Sequence, residues 1–354
     1  MTSLNASLQI NVSPYDLAIC KQLLERQISF WYSEFDEVVI SVQSRPSISR
    51  SAQDFRANMG GLVALIERLV DQYTKVRYHF IDYSESRRRH LARSFFGSDW
   101  IPDQESRGGP FYSYFDGIEE TRGRFVLHLD ADIILGGAPR AWVSNAIELL
   151  NSQPNIFAVK PLSGPATTDF ELKQRYLKKQ GKYKFIFDTM TGRVFLIDKV
   201  KFKRFKIPLE TIPYTLKGVK WRLRTNFSPA YQRVEELISQ MMQKNGLVRI
   251  DYWGENEQDG CFTLHPLIKP NDFVMAIPGI LARIDSQDIP ESQKGYYNVC
   301  NDLFDFSPYA KPPPDGALAE YVSRLKSGLG RWSAVNLRAM ENSSGTFPGR
   351  QRIT

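Results

Sequence analysis

Cysteine is scarce. Cys20, Cys261 and Cys300 are too few and too far apart in 354 residues for a disulfide framework or a CxxC metal pair. That scarcity points to a reducing compartment. No run of about 18 apolar residues is present, so no membrane-spanning helix is expected, and any membrane association should be peripheral. The opening MTSLNASLQI lacks a basic start followed by a long apolar stretch, so the expectation is no signal segment and a cytoplasmic setting. There is no internal repeat. There is also no glycine-rich phosphate loop, since Ser13-Pro14-Tyr15 follows the first strand-like run. Excess charge is small: 46 Lys and Arg against 39 Asp and Glu leave +7. A dedicated nucleic-acid binder gathers such charge in a stripe or tail. Here no nucleic-acid partner is expected, and the surplus suits anionic substrates or plain solubility.

What is present reads as an ordinary globular protein, 42% apolar and 24% charged. Strand-like and helical patterns alternate through the first half. Leu8–Val12 and Glu37–Val42 are strands, with Asp16–Tyr32 a helix between them and Ala57–Gln72 a helix after. Val76–Asp82 is a strand ending in a carboxylate, Phe111–Thr121 a helix, Arg124–Leu129 a strand, Ala141–Asn151 a helix, and Phe157–Lys160 the start of another strand. Such alternation implies an α/β fold, a mostly parallel sheet flanked by helices. Further on, Lys182–Asp188 and Arg193–Ile197 read as strands, and Lys199–Arg224 as a basic stretch without a period. Ser228–Asn245 reads as a helix with Val234, Leu237, Ile238 and Met241 on one face. Phe273–Ile284 suits a helix interrupted by Pro278. Pro312-Pro313-Pro314 precedes a last helix near Ala317–Leu325, and the tail from Asn342 is polar. The expected division is a core over residues 1–200, a second region over 201–311, and a terminal helix with tail over 312–354.

The strongest chemical signal is Phe125-Val-Leu-His-Leu-Asp130-Ala-Asp132. A buried strand delivers two carboxylates at the sheet edge where open α/β sheets bind ligands. In extended chain, residues two apart point to the same side. Two oxygen ligands on one side suit Mg2+ or Mn2+ bound together with a diphosphate. His128, inside the strand, reads as core. Haloacid dehalogenase-type phosphatases also carry Asp-x-Asp, but after the first strand, whereas several βα units precede it here.

Gly109, Gly117 and Gly123, at their spacing ahead of Asp130-Ala131-Asp132, resemble the core of family-two and related glycosyltransferases of the GT-A fold. The resemblance covers roughly the first 200 residues and implies a Rossmann-like, mostly parallel sheet with a C-terminal acceptor-side helical region. It implies a sugar moved from a nucleotide-sugar donor, a UDP-sugar first and a GDP-sugar second, to a hydroxyl-bearing acceptor. It would make Asp132 a ligand of the metal, with Asp130 on the metal or ribose. Ser13, Pro14, Gln43, Asp82, Gly109 and Ala131 would lie beside the donor, and Arg193 beside the substrate. Two departures leave the base open: Tyr114-Phe115 replaces an Arg-Asn pair, and Gln43-Ser44-Arg45-Pro46 replaces an Asp-rich turn. Asp82 has a second reading, as part of a helix cap with Ser84.

Trp253-Gly-Glu255-Asn-Glu257-Gln-Asp259 resembles the acidic acceptor-side motif of these transferases, and its wording also resembles polypeptide N-acetylgalactosaminyltransferases. An inverting transfer needs a carboxylate to take the acceptor proton. Glu255 is the first candidate, then Glu257 and Asp259, with Trp253 in the sugar pocket. A retaining mechanism stays open. His265, a few residues on, would be the third metal ligand by resemblance, and imidazole is a competent one. Arg87-Arg88-Arg89 reads as a solvated face or a phosphate contact. The non-enzymatic alternatives are a nucleotide-binding scaffold and a basic nucleic-acid-binding module.

Overall fold

In the computed structural model, residues 4–105, 108–211 and 231–309 are described. The chain divides into one compact unit, Met1–Asp305, and a second, Phe306–Thr354, of which 306–309 are described. The first unit is built on a sheet. Its strands are β1 (Ala6–Val12), β2 (Glu37–Val42), β3 (Val76–Phe80), β4 (Phe125–Asp130), β5 (Ile134–Gly137), β6 (Ile156–Ser163), β7 (Lys178–Gln180), β8 (Lys184–Phe187), β9 (Val194–Asp198), β10 (Val248–Tyr252) and β11 (Cys261–Leu264). Across the sheet they run β3-β2-β1-β4-β9-β6-β10-β8-β7. β3 to β4 are parallel, and β6 and β10 continue in that direction. Only β9 and β8 are reversed along this path. β5 and β11 form a separate antiparallel ribbon joined to the end of β6. The α/β class and mostly parallel sheet expected from the alternating pattern are observed.

Helices cover both faces. On one, α1 (Leu17–Trp31), α2 (Ala52–Gln72) and α5 (Trp142–Ser152) share a cluster with Phe125, Leu127 and Leu129 of β4. On the other, α4 (Tyr112–Glu120), α6 (Lys199–Arg204) and α7 (Val234–Lys244) share a cluster with Val126. The strand period of two sorts these side chains. α1 buries Ile19, Leu23, Leu24 and Ile28 at helical spacing, each worth about 1.5–3 kcal/mol when fully removed from water. Under α4 the second face turns polar: Ser7, Gln9, Ser41, Asp116 and His128 are all buried. Two of the motif glycines allow that helix and its exit to lie close. A Cβ on Gly117 would sit 2.5 Å from Gln9 Nε2, and one on Gly123 would sit 2.8 Å from the Ser7 backbone nitrogen.

Several boundaries differ from the sequence reading. α2 starts at Ala52 rather than Ala57, because Ser51 caps it by accepting from Asp54 N. β3 stops at Phe80, and a short helix α3 (Glu85–Leu91) follows, capped by Ser84. β6 runs on to Ser163. The basic stretch opens as α6, capped by Asp198, and from residue 212 to Arg224 lies outside the described residues. α7 begins at Val234, and Ser228 also lies outside the described residues. A further helix α8 (Asn271–Asp285) runs unbroken through Pro278, its buried Phe273, Val274, Ile277, Ile280 and Ile284 outweighing the lost backbone donor. The helix expected near Ala317–Leu325 and the tail lie outside the described residues. Among the described residues no helix is long and apolar enough to cross a membrane.

Candidate active site

A cleft of about 560 Å3 opens at the carboxyl ends of β1, β2 and β4. Parallel pairing brings Asn11 level with Asp130, Ala131 N donates to Asn11 O (3.2 Å), and Gln43 N donates to Val12 O (2.9 Å). One side of the cleft is therefore fixed by the sheet itself. Other parts of the wall come from Ser113 and Tyr114 on α4, from Gly192-Arg193 before β9, from Arg233 and Glu235 at the start of α7, and from His265, Pro266, Leu267 and Lys269 after β11.

The Asp-x-Asp segment is not extended, which corrects the sequence reading. β4 ends at Asp130, and Ile133 N donates back to Asp130 O (3.2 Å), so residues 130–133 form a turn. Gln27, fully buried on α1, holds it by donating to Asp130 O (3.1 Å) and Ile133 O (2.8 Å). The two carboxylates consequently meet different surroundings. Asp130 accepts from Tyr114 Oη (3.3 Å) and lies 3.4 Å from His128 Nε2. The other nitrogen of His128, Nδ1, is bound to Gln9 Oε1 (2.5 Å), whose own amide nitrogen donates to Asn11 and Ser41. Burial pushes the Asp130 carboxyl up, and His128 only partly offsets this. His128 is thus core, as expected, and also a neighbour of Asp130.

Asp132 is different. His265 Nε2 lies 3.3 Å from its Oδ2, and Lys269 Nζ lies 2.5 Å from the same oxygen. Burial alone would raise this carboxyl, but His265 and Lys269 together hold it well below the usual range. Lys269 also reaches Asp16 Oδ1 (3.4 Å), and its ammonium is raised because these carboxylates outweigh burial. Asp132 Oδ1 and His265 Nδ1 are buried without a hydrogen-bond partner. Asp130, Asp132 and His265, the expected metal ligands, all line the cleft. They do not form a cage. Among the described residues no three histidine, cysteine or acidic side chains converge on one ion position. An ammonium already occupies the accessible charge of Asp132. As arranged, the donor set does not fit a resident divalent ion, and no step is derived through one.

Of the other expected residues, Ser13, Gln43, Gly109, Ala131 and Arg193 line the cleft. Pro14 is buried in the turn after β1 and does not. Asp82 is exposed and turned to Ser84, accepting from its N (2.8 Å) and Oγ (3.0 Å), which also lowers its carboxyl. Trp253, Glu255, Glu257 and Asp259 do not line the cleft. Their loop is tied up locally. Glu255 accepts from Tyr252 Oη (2.6 Å) and sits 3.5 Å from Lys184, Glu257 pairs with Lys182, and Asp259 accepts from Asn256 Nδ2. The β7–β8 hairpin supplies both lysines. Trp253 stacks on Phe262, and Gly260 has no room for a Cβ against that indole. The Arg87-Arg88-Arg89 run is spent on Asp116, Asp103 and Glu85.

Sequence reasoning missed Glu235, Lys269 and Gln27. Glu235 stands at the N-terminal turn of α7, lines the cleft, and accepts from Gly192 N (2.9 Å) beside Arg193. The paired acids Glu235-Glu236 at a helix start were the available signal.

No family profile matches the chain, and no curated protein matches it. Among solved structures it is similar to the 4-diphosphocytidyl-2C-methyl-D-erythritol synthase of Anaerococcus prevotii, at 12% identity and TM-score 0.33, covering 78% of this chain and 98% of that one. It is similar to the mannosyltransferase PcManGT of Pyrobaculum calidifontis, solved with GDP-Man and Mn2+, at 11% identity and TM-score 0.38, covering 94% and 80%. It is also similar to S. aureus TarS, at 12% identity and TM-score 0.39, covering 81% and 41%. Likenesses this distant carry no weight for function, which is read from the cleft.

Proposed function

We propose that the chain is a GT-A-type glycosyltransferase that moves a sugar from a nucleotide-sugar donor, a UDP- or GDP-sugar, to an acceptor hydroxyl with inversion. The observation that carries this is the meeting, in one cleft at the sheet's carboxyl edge, of Asp130, Asp132 and Arg193 with Glu235 on α7. Glu235 is the base in this reading, in place of Glu255, Glu257 or Asp259. As the acceptor oxygen bonds to the anomeric carbon, its proton passes to Glu235. The bond from that carbon to the phosphate oxygen breaks, and the nucleoside diphosphate leaves with the electron pair. Arg193 and Lys269, two of the cationic side chains that line the cleft, meet the charge that gathers on the leaving group.

A donor screen tests the proposal. The full chain is incubated with a panel of nucleotide sugars, with and without Mn2+, and release of nucleoside diphosphate is followed. Slow hydrolysis of one donor is expected. No binding or turnover of any donor would refute it. Salt-sensitive DNA binding without a nucleotide response would favour the basic-module alternative.

A further inference from the structure

We infer that Lys269 is a built-in counter-ion at Asp132, so that the cleft binds a nucleoside diphosphate without a divalent cation. The inference rests on the transferase reading of the same cleft and goes beyond it by naming what neutralises the diphosphate.

Three observations carry it. First, the Lys269 ammonium is held by two carboxylates from separate elements, Asp132 Oδ2 at 2.5 Å and Asp16 Oδ1 at 3.4 Å, in the turns that follow β4 and β1. An ammonium has three donors. Two face these acids, and the side chain keeps a third of its surface exposed where it lines the cleft. One N–H is therefore left for a phosphate oxygen. Second, His265 turns Nε2 toward the same Asp132 oxygen, so the oxygen that meets Lys269 is already shared by two nitrogen groups. Third, no three acidic, histidine or cysteine side chains among the described residues converge on an ion position. A divalent cation at this oxygen of Asp132 would have to displace an ammonium that then loses the shorter of its two carboxylate contacts. Pro266 and Pro270 flank the segment that carries Lys269, and α8 begins at Asn271, so its backbone has little freedom to swing away.

The test is calorimetry on the full chain with UDP and GDP, first in EDTA and then in Mn2+. Affinity in EDTA is expected within about threefold of that in Mn2+, since the cation is already present as Lys269. Lys269→Ala should lose about tenfold or more in EDTA, the scale of one charge-assisted hydrogen bond, while Lys269→Arg keeps most of the affinity. Mn2+ should recover part of the loss in Lys269→Ala, where Asp132 is freed, and add little to the parent chain. Thermal melts check that each variant folds. If Lys269→Ala does not, the EDTA comparison on the parent chain and Lys269→Arg decide. Diphosphate binding that vanishes in EDTA and returns with Mn2+ would overturn this inference and leave the transferase reading standing. No diphosphate binding in either buffer would overturn both.

Discussion

Asp130 and Asp132 are two residues apart, and the protein treats them in opposite ways. Asp130 closes a strand and lies over the polar layer beneath α4, where burial dominates and the carboxyl is raised. Asp132 points toward loops from the far end of the sequence. There Lys269 and His265 outweigh burial, and the carboxyl stays ionised. The turn pinned by Gln27 makes this possible, because an extended Asp-x-Asp would give both side chains the same neighbours. One carboxylate is governed chiefly by the sheet and the other by the loops, although the charge of Asp132 also helps to push the Asp130 carboxyl up.

The largest effect should come from the loop-governed one. Asp132→Asn keeps the shape and removes the charge that fixes Lys269. Loss of donor turnover by about 1,000-fold is expected, with the circular dichroism of the fold retained. Release of nucleoside diphosphate from the best donor is the readout. Retention of full activity would remove Asp132 from the chemistry. Next in size is Glu235→Gln, for which kcat should fall by about 100-fold or more while calorimetry shows donor binding unchanged. Glu255→Gln, in a residue already engaged by Tyr252 and Lys184, should change kcat by less than about twofold. The reverse ranking would return the base to the β10–β11 loop.

The same division explains what could be read in the sequence. The sheet-governed side was legible. Strand alternation around β1, β2 and β4 places Ser13, Gln43 and Asp130 at one edge, and the glycine spacing before Asp130 matches the close approach of α4 to Gln9 and Ser7. The loop-governed side was not. Lys269 lies in an irregular segment between two prolines, and the pairing of β11 with β5 and β6 helps to bring it to Asp132. Glu235 belongs to a helix whose apolar face was read correctly, but no local pattern says which sheet edge that helix start will meet. The acids at 255–259 were more conspicuous in sequence, yet the lysines that neutralise them sit on a hairpin some seventy residues earlier, at Lys182 and Lys184.

Asp130→Asn sharpens the contrast from the other side. His128 gives its Nδ1 to Gln9 Oε1, so a hydrogen bond between Nε2 and Asp130 Oδ1 needs one proton, on the ring or on the carboxyl. An asparagine amide supplies that proton permanently and still offers an oxygen to Tyr114. Donor affinity should therefore fall by no more than about tenfold, far less than turnover falls in Asp132→Asn. Equal damage from both substitutions would erase the distinction.

A buried charge elsewhere in the same sheet offers a parallel to the half-buried Asp130. Lys160 on β6 is 1% exposed and donates to Ser163 Oγ (2.6 Å), which donates on to Asp251 Oδ2 (2.5 Å). Asp251 also accepts from Arg249 Nε (2.7 Å). Burial pushes the Lys160 ammonium down from 10.5 to about 8, with Asp251 offsetting only part. Below about 8 the lysine is charged in both folded and unfolded chains, and its full desolvation cost is present. As the pH rises from about 8 toward 10.5, the folded chain sheds the proton while the unfolded chain still holds it, so stability rises. At about 1.4 kcal/mol per unit, the gain is about 3 kcal/mol. Lys160→Met leaves Arg249 on Asp251 and removes the titrating group, so the difference in urea-unfolding free energy between parent and variant should shift by that amount across the window. A difference that stays flat with pH would mean that burial does not control this lysine, and the same account of Asp130 would lose its internal parallel.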